Sequence, residues 1–158
     1  MRGCRVGKCT TQHGDTWHAH CGVLDRGGAA GAHPWSAGPA AMIVRRLFGV
    51  RPLEMGYNTV AVHPQPPRDL GHSAATVPTP RGLVAVSFLQ SAAGFQLNVS
   101  VPTNTTADVC LPAALLPRDP VLFLNGAAVA GVRTLPAQLC LTAVLGSGRH
   151  QVQCTGRK

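Results

Sequence analysis

Phe95-Gln96-Leu97-Asn98-Val99-Ser100-Val101 alternates apolar and polar side chains without a break. A period of two sends successive side chains to opposite faces of the chain, so Phe95, Leu97, Val99 and Val101 share one face and the polar residues share the other. That is a half-buried β-strand. On its N-terminal side, Ala74–Val77 and Leu83–Leu89 flank Pro78-Thr79-Pro80-Arg81-Gly82, the residue types of a hairpin connection. Further back, Thr59-Val60-Ala61-Val62 is a short β-prone run. On the C-terminal side, Thr105–Leu111 alternates more loosely and Val121–Leu124 is an apolar run ending in Asn125-Gly126. Ala137–Leu145 is expected to meet His150–Cys154 across Gly146-Ser147-Gly148. Seven or eight short strands with turn residues between them, and no helices interleaved, predict an antiparallel β-sandwich from about residue 52 to the end.

Ahead of the strands, Ser36 can cap a helix, Pro39 suits a first turn, and residues 40, 43, 44, 47 and 48 share an apolar face before Gly49 stops the run. One helix of about three turns is expected there, with Arg45 and Arg46 complementing its negative end. Met1 to Pro34 shows no useful periodicity and reads as loop.

The chain has 158 residues, 45% of them hydrophobic and 13% charged, a balance that excludes charge-driven disorder. No apolar run approaches the ~20 residues of a membrane span, and Met1 to Asp15 does not resemble a secretory signal. No membrane partner is expected, and such a start also suits a truncated gene. The net charge of +8 raises nucleic acid as a partner. With arginines scattered singly and aromatics at 4%, the stacking platforms of single-strand binders are missing, and no nucleic-acid role is expected. Six cysteines (4, 9, 21, 110, 140, 154) without an export signal are expected to be free thiols. Cys4, Cys9, His13, His18, His20 and Cys21 are a dense set of soft ligands, but their spacing is too irregular for a structural zinc site, so neither metal nor cofactor is expected. Asn98-Val99-Ser100 and Asn104-Thr105-Thr106 fit the N-glycosylation pattern, which has meaning only in a secreted protein.

His33-Pro34-Trp35-Ser36-Ala37-Gly38-Pro39, the helix, Phe48-Gly49-Val50-Arg51-Pro52-Leu53-Glu54-Met55-Gly56-Tyr57, Val62-His63-Pro64 and Thr76-Val77-Pro78-Thr79-Pro80-Arg81-Gly82 follow one another in an order that resembles the C-terminal portion of bacterial-type α-L-rhamnosidases. Gly94-Phe95, Val99 to Ala107 and Leu111-Pro112 extend the likeness into the strand region, so that it covers roughly residues 9 to 154. The resemblance implies an (α/α)6 barrel carrying the active site, followed by a β-sandwich, and inverting hydrolysis of terminal α-L-rhamnose. Residues 1–49 would then be the end of the barrel, a loop and its closing helix, and 50–158 the sandwich domain. A rhamnose-containing glycan is the implied substrate, and the missing barrel portion is an implied partner.

Inverting hydrolysis needs one protonated and one ionised carboxyl group set roughly 6.5–9.5 Å apart. Of the six acidic residues, Glu54, Asp69, Asp108 and Asp119 fall in the sandwich or its connections, which leaves Asp15 and Asp25. The resemblance points to Asp15 as the catalytic base: Thr10-Thr11-Gln12-His13-Gly14-Asp15-Thr16-Trp17 is similar to a Thr-Thr-x-x-Glu-x-Trp pattern, with the acid one position later and one methylene shorter. It also points to His33 as a substrate-binding residue, whose imidazole can exchange hydrogen bonds with ring hydroxyls. Trp17 offers an apolar wall to the sugar, whereas Trp35, beside the helix start, is expected in the core. The family's general-acid motif, of the Asp-Cys-Pro-Gln-Arg type, has no match. The chain by itself is therefore expected to be inactive, with a non-catalytic accessory or carbohydrate-binding sandwich as the alternative reading. Phe88, Phe95 and Phe123 sit in apolar strand contexts and are expected in the core rather than on a sugar-binding platform.

Overall fold

The computed structural model of the chain describes residues 38–156. Asp15, Trp17, His33, Trp35 and the Cys- and His-rich start lie outside the described residues. A compact unit begins at Ile43, and the short helix α1 (Gly38–Met42) belongs to the unit before it. The expected three-turn helix is split, because α1 gives way to a wider π-type turn over Ile43–Leu47. Val44 and Leu47 are half-buried against the core and Phe48 is buried, while Ile43 on the same predicted face stays exposed.

From β1 onward every strand belongs to one of two sheets. The smaller is built from β1 (Val50–Pro52), β2 (Thr59–Val62), β6 (Thr106–Pro112), β10 (Gln138–Leu141) and β9 (Val132–Leu135), in the order β1-β2-β6-β10-β9. The larger is built from β3 (His72–Thr79), β4 (Gly82–Ser91), β5 (Gly94–Val101), β11 (Gly148–Gly156), β7 (Pro120–Leu124) and β8 (Ala127–Ala128), in that order across the sheet. The core lies between them. From the small sheet, Val60, Val62, Ala107, Val109, Leu111, Leu139 and Leu141 join Val84, Val86, Phe88, Leu97, Val99 and Val152 of the large one in a single buried cluster. Phe88 sits between Phe48 and Phe95, with ring centroids 5.9 and 5.8 Å away. Each fully buried side chain of this size contributes about 1.5–3 kcal/mol. The mainly-β sandwich read from the alternation is the observed architecture.

Two pairings differ from the expected scheme. β10 and β11 do not form a hairpin: β10 pairs with β6 and β9, whereas β11 pairs with β5 and β7. Between them the chain crosses from one sheet to the other, with Leu145 bridged to Ala107 on the way. The second difference is that β2 and β6 run parallel, Thr59 beside Thr106 through Val62 beside Val109, while every other pair is antiparallel. The β3–β4 connection is the expected tight turn, with Thr79 paired to Gly82. Asn125 (φ 51°) and Gly126 (φ 84°) supply the two left-handed residues of the β7–β8 hairpin. Phe123 is half-buried on the side opposite Leu122 and is not part of the core, a departure from its expected place there.

Candidate functional site

Alternation on the small sheet decides which side chains meet. On β2, Val60 and Val62 point into the core, so Ala61 and the next residue but one, His63, point away from it. On β6, Ala107, Val109 and Leu111 point in, and Asp108 and Cys110 point out. On β10, Leu139 and Leu141 point in, and Cys140 points out. Register then aligns Arg133 with Cys140 and Cys140 with Cys110, and the parallel β2–β6 pairing brings His63 up beside Cys110. A row of polar and sulfur-bearing residues crosses the outer face. The face is not wet: Ala61, Cys110 and Cys140 are fully buried, and His63 is 7% exposed.

Gly49 closes the end of β1 onto this site. The His63 backbone N–H donates to the Gly49 carbonyl at 3.2 Å. Gly49 holds φ +69°, and a Cβ added there would collide with the His63 backbone. Glycine is therefore required for β1 to lie this close to His63.

Cys110 and Cys140 form a disulfide across their antiparallel pairing, with a sequence separation of 30. This corrects the expectation of free thiols for these two cysteines. Burial side by side on adjacent strands places their Cβ atoms within bonding reach, a proximity that spacing in the chain does not reveal. Cys154 is the buried free thiol among the described residues, and burial pushes its pKa up to about 11, which leaves it inert as a nucleophile.

His63 is held from both ring nitrogens. Arg51 Nη2 donates to Nδ1 at 3.3 Å, so the proton sits on Nε2, which donates to Asp108 Oδ2 at 2.9 Å and lies 3.1 Å from Cys110 Sγ. Burial lowers the His63 pKa below its ordinary 6.5, outweighing the Asp108 carboxylate that raises it, and the Arg51 and Arg133 charges lower it further. The neutral imidazole is the form that matches this bonding. Asp108, 14% exposed, uses its other oxygen to accept from Arg133 Nη2 at 2.9 Å, while Arg133 itself is 50% exposed.

Both Asp108 oxygens are thus committed to donating partners within the sheet, so neither is free to reach a leaving group. The Asp108 carboxylate and the Cys110 sulfur both approach the same ring nitrogen of His63, Nε2, so these residues form no relay of nucleophile, base and orienting acid. Donor atoms of His63, Asp108 and Cys110 all lie within 4.8 Å of one another, a spacing that suits metal ligation, but the disulfide occupies the Cys110 sulfur. None of these residues was singled out from sequence as a site residue. The available signal was weak: an Asp-x-Cys spacing that puts both side chains on one strand face, and Val62-His63-Pro64, read only as a mark of family likeness.

A second feature lies on the outer face of the large sheet, where a hollow of about 660 Å³ is lined by Thr76, Ser87, Asn98, Asn125, Arg149 and Gln151 among others. Asn98 Nδ2 donates to Ser87 Oγ and Gln151 Nε2 donates to Asn98 Oδ1, both at 3.3 Å. Amide and hydroxyl groups share this lining with Ala74, Ala75 and Ala85, and apolar surface predominates. Phe88 and Phe95 are buried in the core, as expected, and supply no platform here.

Residues 49–118 match the family described as the bacterial alpha-L-rhamnosidase C-terminal domain. An alpha-L-rhamnosidase of Streptomyces avermitilis is 37% identical over 67 residues, 42% of this chain and 6% of that protein. One from Formosa agariphila is 37% identical over 84 residues, 51% of this chain and 9% of that protein. The structure of the alpha-L-rhamnosidase from Dictyoglumus thermophilum superposes with a TM-score of 0.69 over 78% of this chain and 14% of that one, at 24% identity, a likeness of fold. The Streptomyces avermitilis enzyme complexed with L-rhamnose superposes with a TM-score of 0.58 over 75% of this chain and 11% of that one, at 28% identity. The chain thus corresponds to a small part of each of these proteins.

Proposed function

Because residues 49–118 belong to the C-terminal domain family of bacterial α-L-rhamnosidases, we propose that this chain is the sandwich-bearing end of an inverting glycoside hydrolase that removes terminal α-L-rhamnose. In this reading residues 1–49 complete an (α/α)6 barrel and 50–158 form the sandwich that supports it. Asp15 then acts as the base that activates water, and His33 and Trp17 contact the sugar. Proton donation to the leaving oxygen falls to a carboxyl group on the rest of the barrel, because no general-acid motif is present in these 158 residues. The observation that carries the reading is the coincidence of the family match with a two-sheet sandwich whose most buried carboxylate, Asp108, is already held by His63 and Arg133.

By itself the chain is expected to be catalytically silent, since losing either proton-transfer group leaves the glycosidic oxygen unassisted. The test is release of p-nitrophenol from p-nitrophenyl α-L-rhamnoside by the purified chain. No rate above buffer is expected, and turnover that disappears in Asp15→Asn would show that the chain is a complete catalyst.

The hollow over Ser87, Asn98 and Gln151 supports a second reading, in which the sandwich holds a neutral glycan through amide and hydroxyl groups that donate and accept alike. Calorimetric titration with L-rhamnose and with a rhamnogalacturonan fragment separates the two. Heat that is lost in Asn98→Ala would establish a binding module, and none is expected of an accessory domain.

A further inference from the structure

We propose that Cys110, Cys140, His63 and Asp108 form a zinc-binding site when the Cys110–Cys140 bond is reduced, so that disulfide and metal are alternative closures of the same sheet face. Two thiolates, an imidazole and a carboxylate are ligand types that zinc accepts, and four protein ligands make the closed, tetrahedral kind of site. They come from β6, β10 and the residue following β2, all pointing away from the core. His63 Nε2 stands 2.9 Å from Asp108 Oδ2 and 3.1 Å from Cys110 Sγ, and Cys140 is the register partner of Cys110. Donor atoms of His63, Asp108 and Cys110 already lie within 4.8 Å of one another, and Cys140 must part from Cys110 and turn toward them to supply the fourth ligand.

The surroundings fit a metal site. Both cysteines are fully buried and His63 nearly so, which excludes competing water. Arg133 already holds Asp108 Oδ1, leaving Oδ2 free to turn from the imidazole to the ion, as an outer-shell partner of a ligating carboxylate does. Zinc with two thiolates and one carboxylate carries a net charge of about −1, which Arg133 would balance. One contact opposes the metal state. Arg51 donates to Nδ1, whereas an imidazole bound through Nε2 carries its proton on Nδ1, so the exposed Arg51 side chain must swing away.

The chemistry balances as follows. A phosphine or dithiol reductant supplies two electrons, the S–S bond breaks, and two protons from solvent give two thiols. Zinc binding then displaces both thiol protons, while the imidazole proton moves from Nε2 to Nδ1 without net release.

The experiment uses the whole chain with Cys4, Cys9 and Cys21 changed to Ser, so that the Cys- and His-rich start cannot supply thiolates. After treatment with a phosphine and zinc sulfate, followed by desalting, elemental analysis is expected to find one equivalent of zinc, against none in an untreated, disulfide-bonded sample. Cobalt in place of zinc is expected to give the charge-transfer absorption of thiolate ligation and the visible bands of a tetrahedral ion. His63→Ala should weaken metal binding and distort those bands, and Arg51→Ala should bind as tightly as the parent or more so. Equal zinc in reduced and oxidised samples, or full binding by Cys110→Ser/Cys140→Ser, would overturn the proposal. Should that double variant fail to fold, the comparison of reduced and oxidised parent decides alone.

Discussion

The two sheets of this sandwich are built by different rules. The large sheet is wholly antiparallel and its strands β3, β4, β5 and β11 are long, with clear alternation in β5, where every second residue from Phe95 is buried and Gln96, Asn98 and Ser100 are half-exposed. The small sheet includes the parallel β2–β6 pair, and its central strands are buried on both faces: Val60, Ala61 and Val62 are all inaccessible, as are Val109, Cys110 and Leu111. Parallel pairing and two-sided burial go together, because a sheet covered on both sides loses the polar half of its alternation. On the large sheet's outer face, half-exposed polar groups such as Gln96 and Ser100 can be satisfied by water. On the small sheet a polar group must find a partner, and His63, Asp108 and Arg133 find one another.

The contrast breaks first if equal substitutions on the two outer faces cost the same. Ala61→Lys buries an unpaired charge and is expected to cost more than about 3 kcal/mol, against a change within about 0.5 kcal/mol for Gln153→Lys on exposed β11. Denaturant unfolding of both variants measures the difference. Removing the small sheet's staple with Cys110→Ser/Cys140→Ser should cost about 2–4 kcal/mol, the range for a closed loop of this length, and calorimetry should show a lower Tm to match. Gly49→Ala forces a left-handed backbone on a residue with a Cβ and pushes it into His63, a loss of roughly 1–3 kcal/mol from the backbone conformation alone. Gly126→Ala offers the matching test on the large sheet, since its added Cβ meets nothing, and the same assay should show the smaller loss there.

The smallest effect sharpens the comparison through pH. His63 has a folded pKa below its unfolded 6.5, so the unfolded chain binds more protons between those values. Its contribution is complete above pH 6.5 and is lost as pH falls through the folded value. The slope is at most about 1.4 kcal/mol per pH unit for one proton. Urea unfolding across pH 7 to 5 should show the slope, and His63→Gln should remove it.

What was legible in the sequence was local. The β5 alternation, the Pro78–Gly82 turn and the Asn125-Gly126 hairpin each depend on a few neighbouring residues, and each stands in the structure. The expected β10–β11 hairpin was not formed, because Gly146-Ser147-Gly148 looks the same whether it turns a strand back or carries it to the other sheet. Phe123 was expected in the core because its apolar run has no alternation to read, and it stands half-buried outside it. The candidate site was illegible for a related reason: His63, Asp108, Cys110, Arg133 and Cys140 meet only through register between strands distant in the chain. Cysteine counting suggested free thiols, and only pairing of β6 with β10 reveals which two sulfurs are neighbours.

The covered outer face of the small sheet is tested most directly by mapping thiols in the folded chain, purified with a chelator and without reductant. Digestion and mass spectrometry should recover Cys110 and Cys140 in one linked peptide pair, with Cys154 alkylated only after unfolding. Free alkylation of Cys110 and Cys140 in the folded chain, or their linkage to other cysteines, would contradict the account.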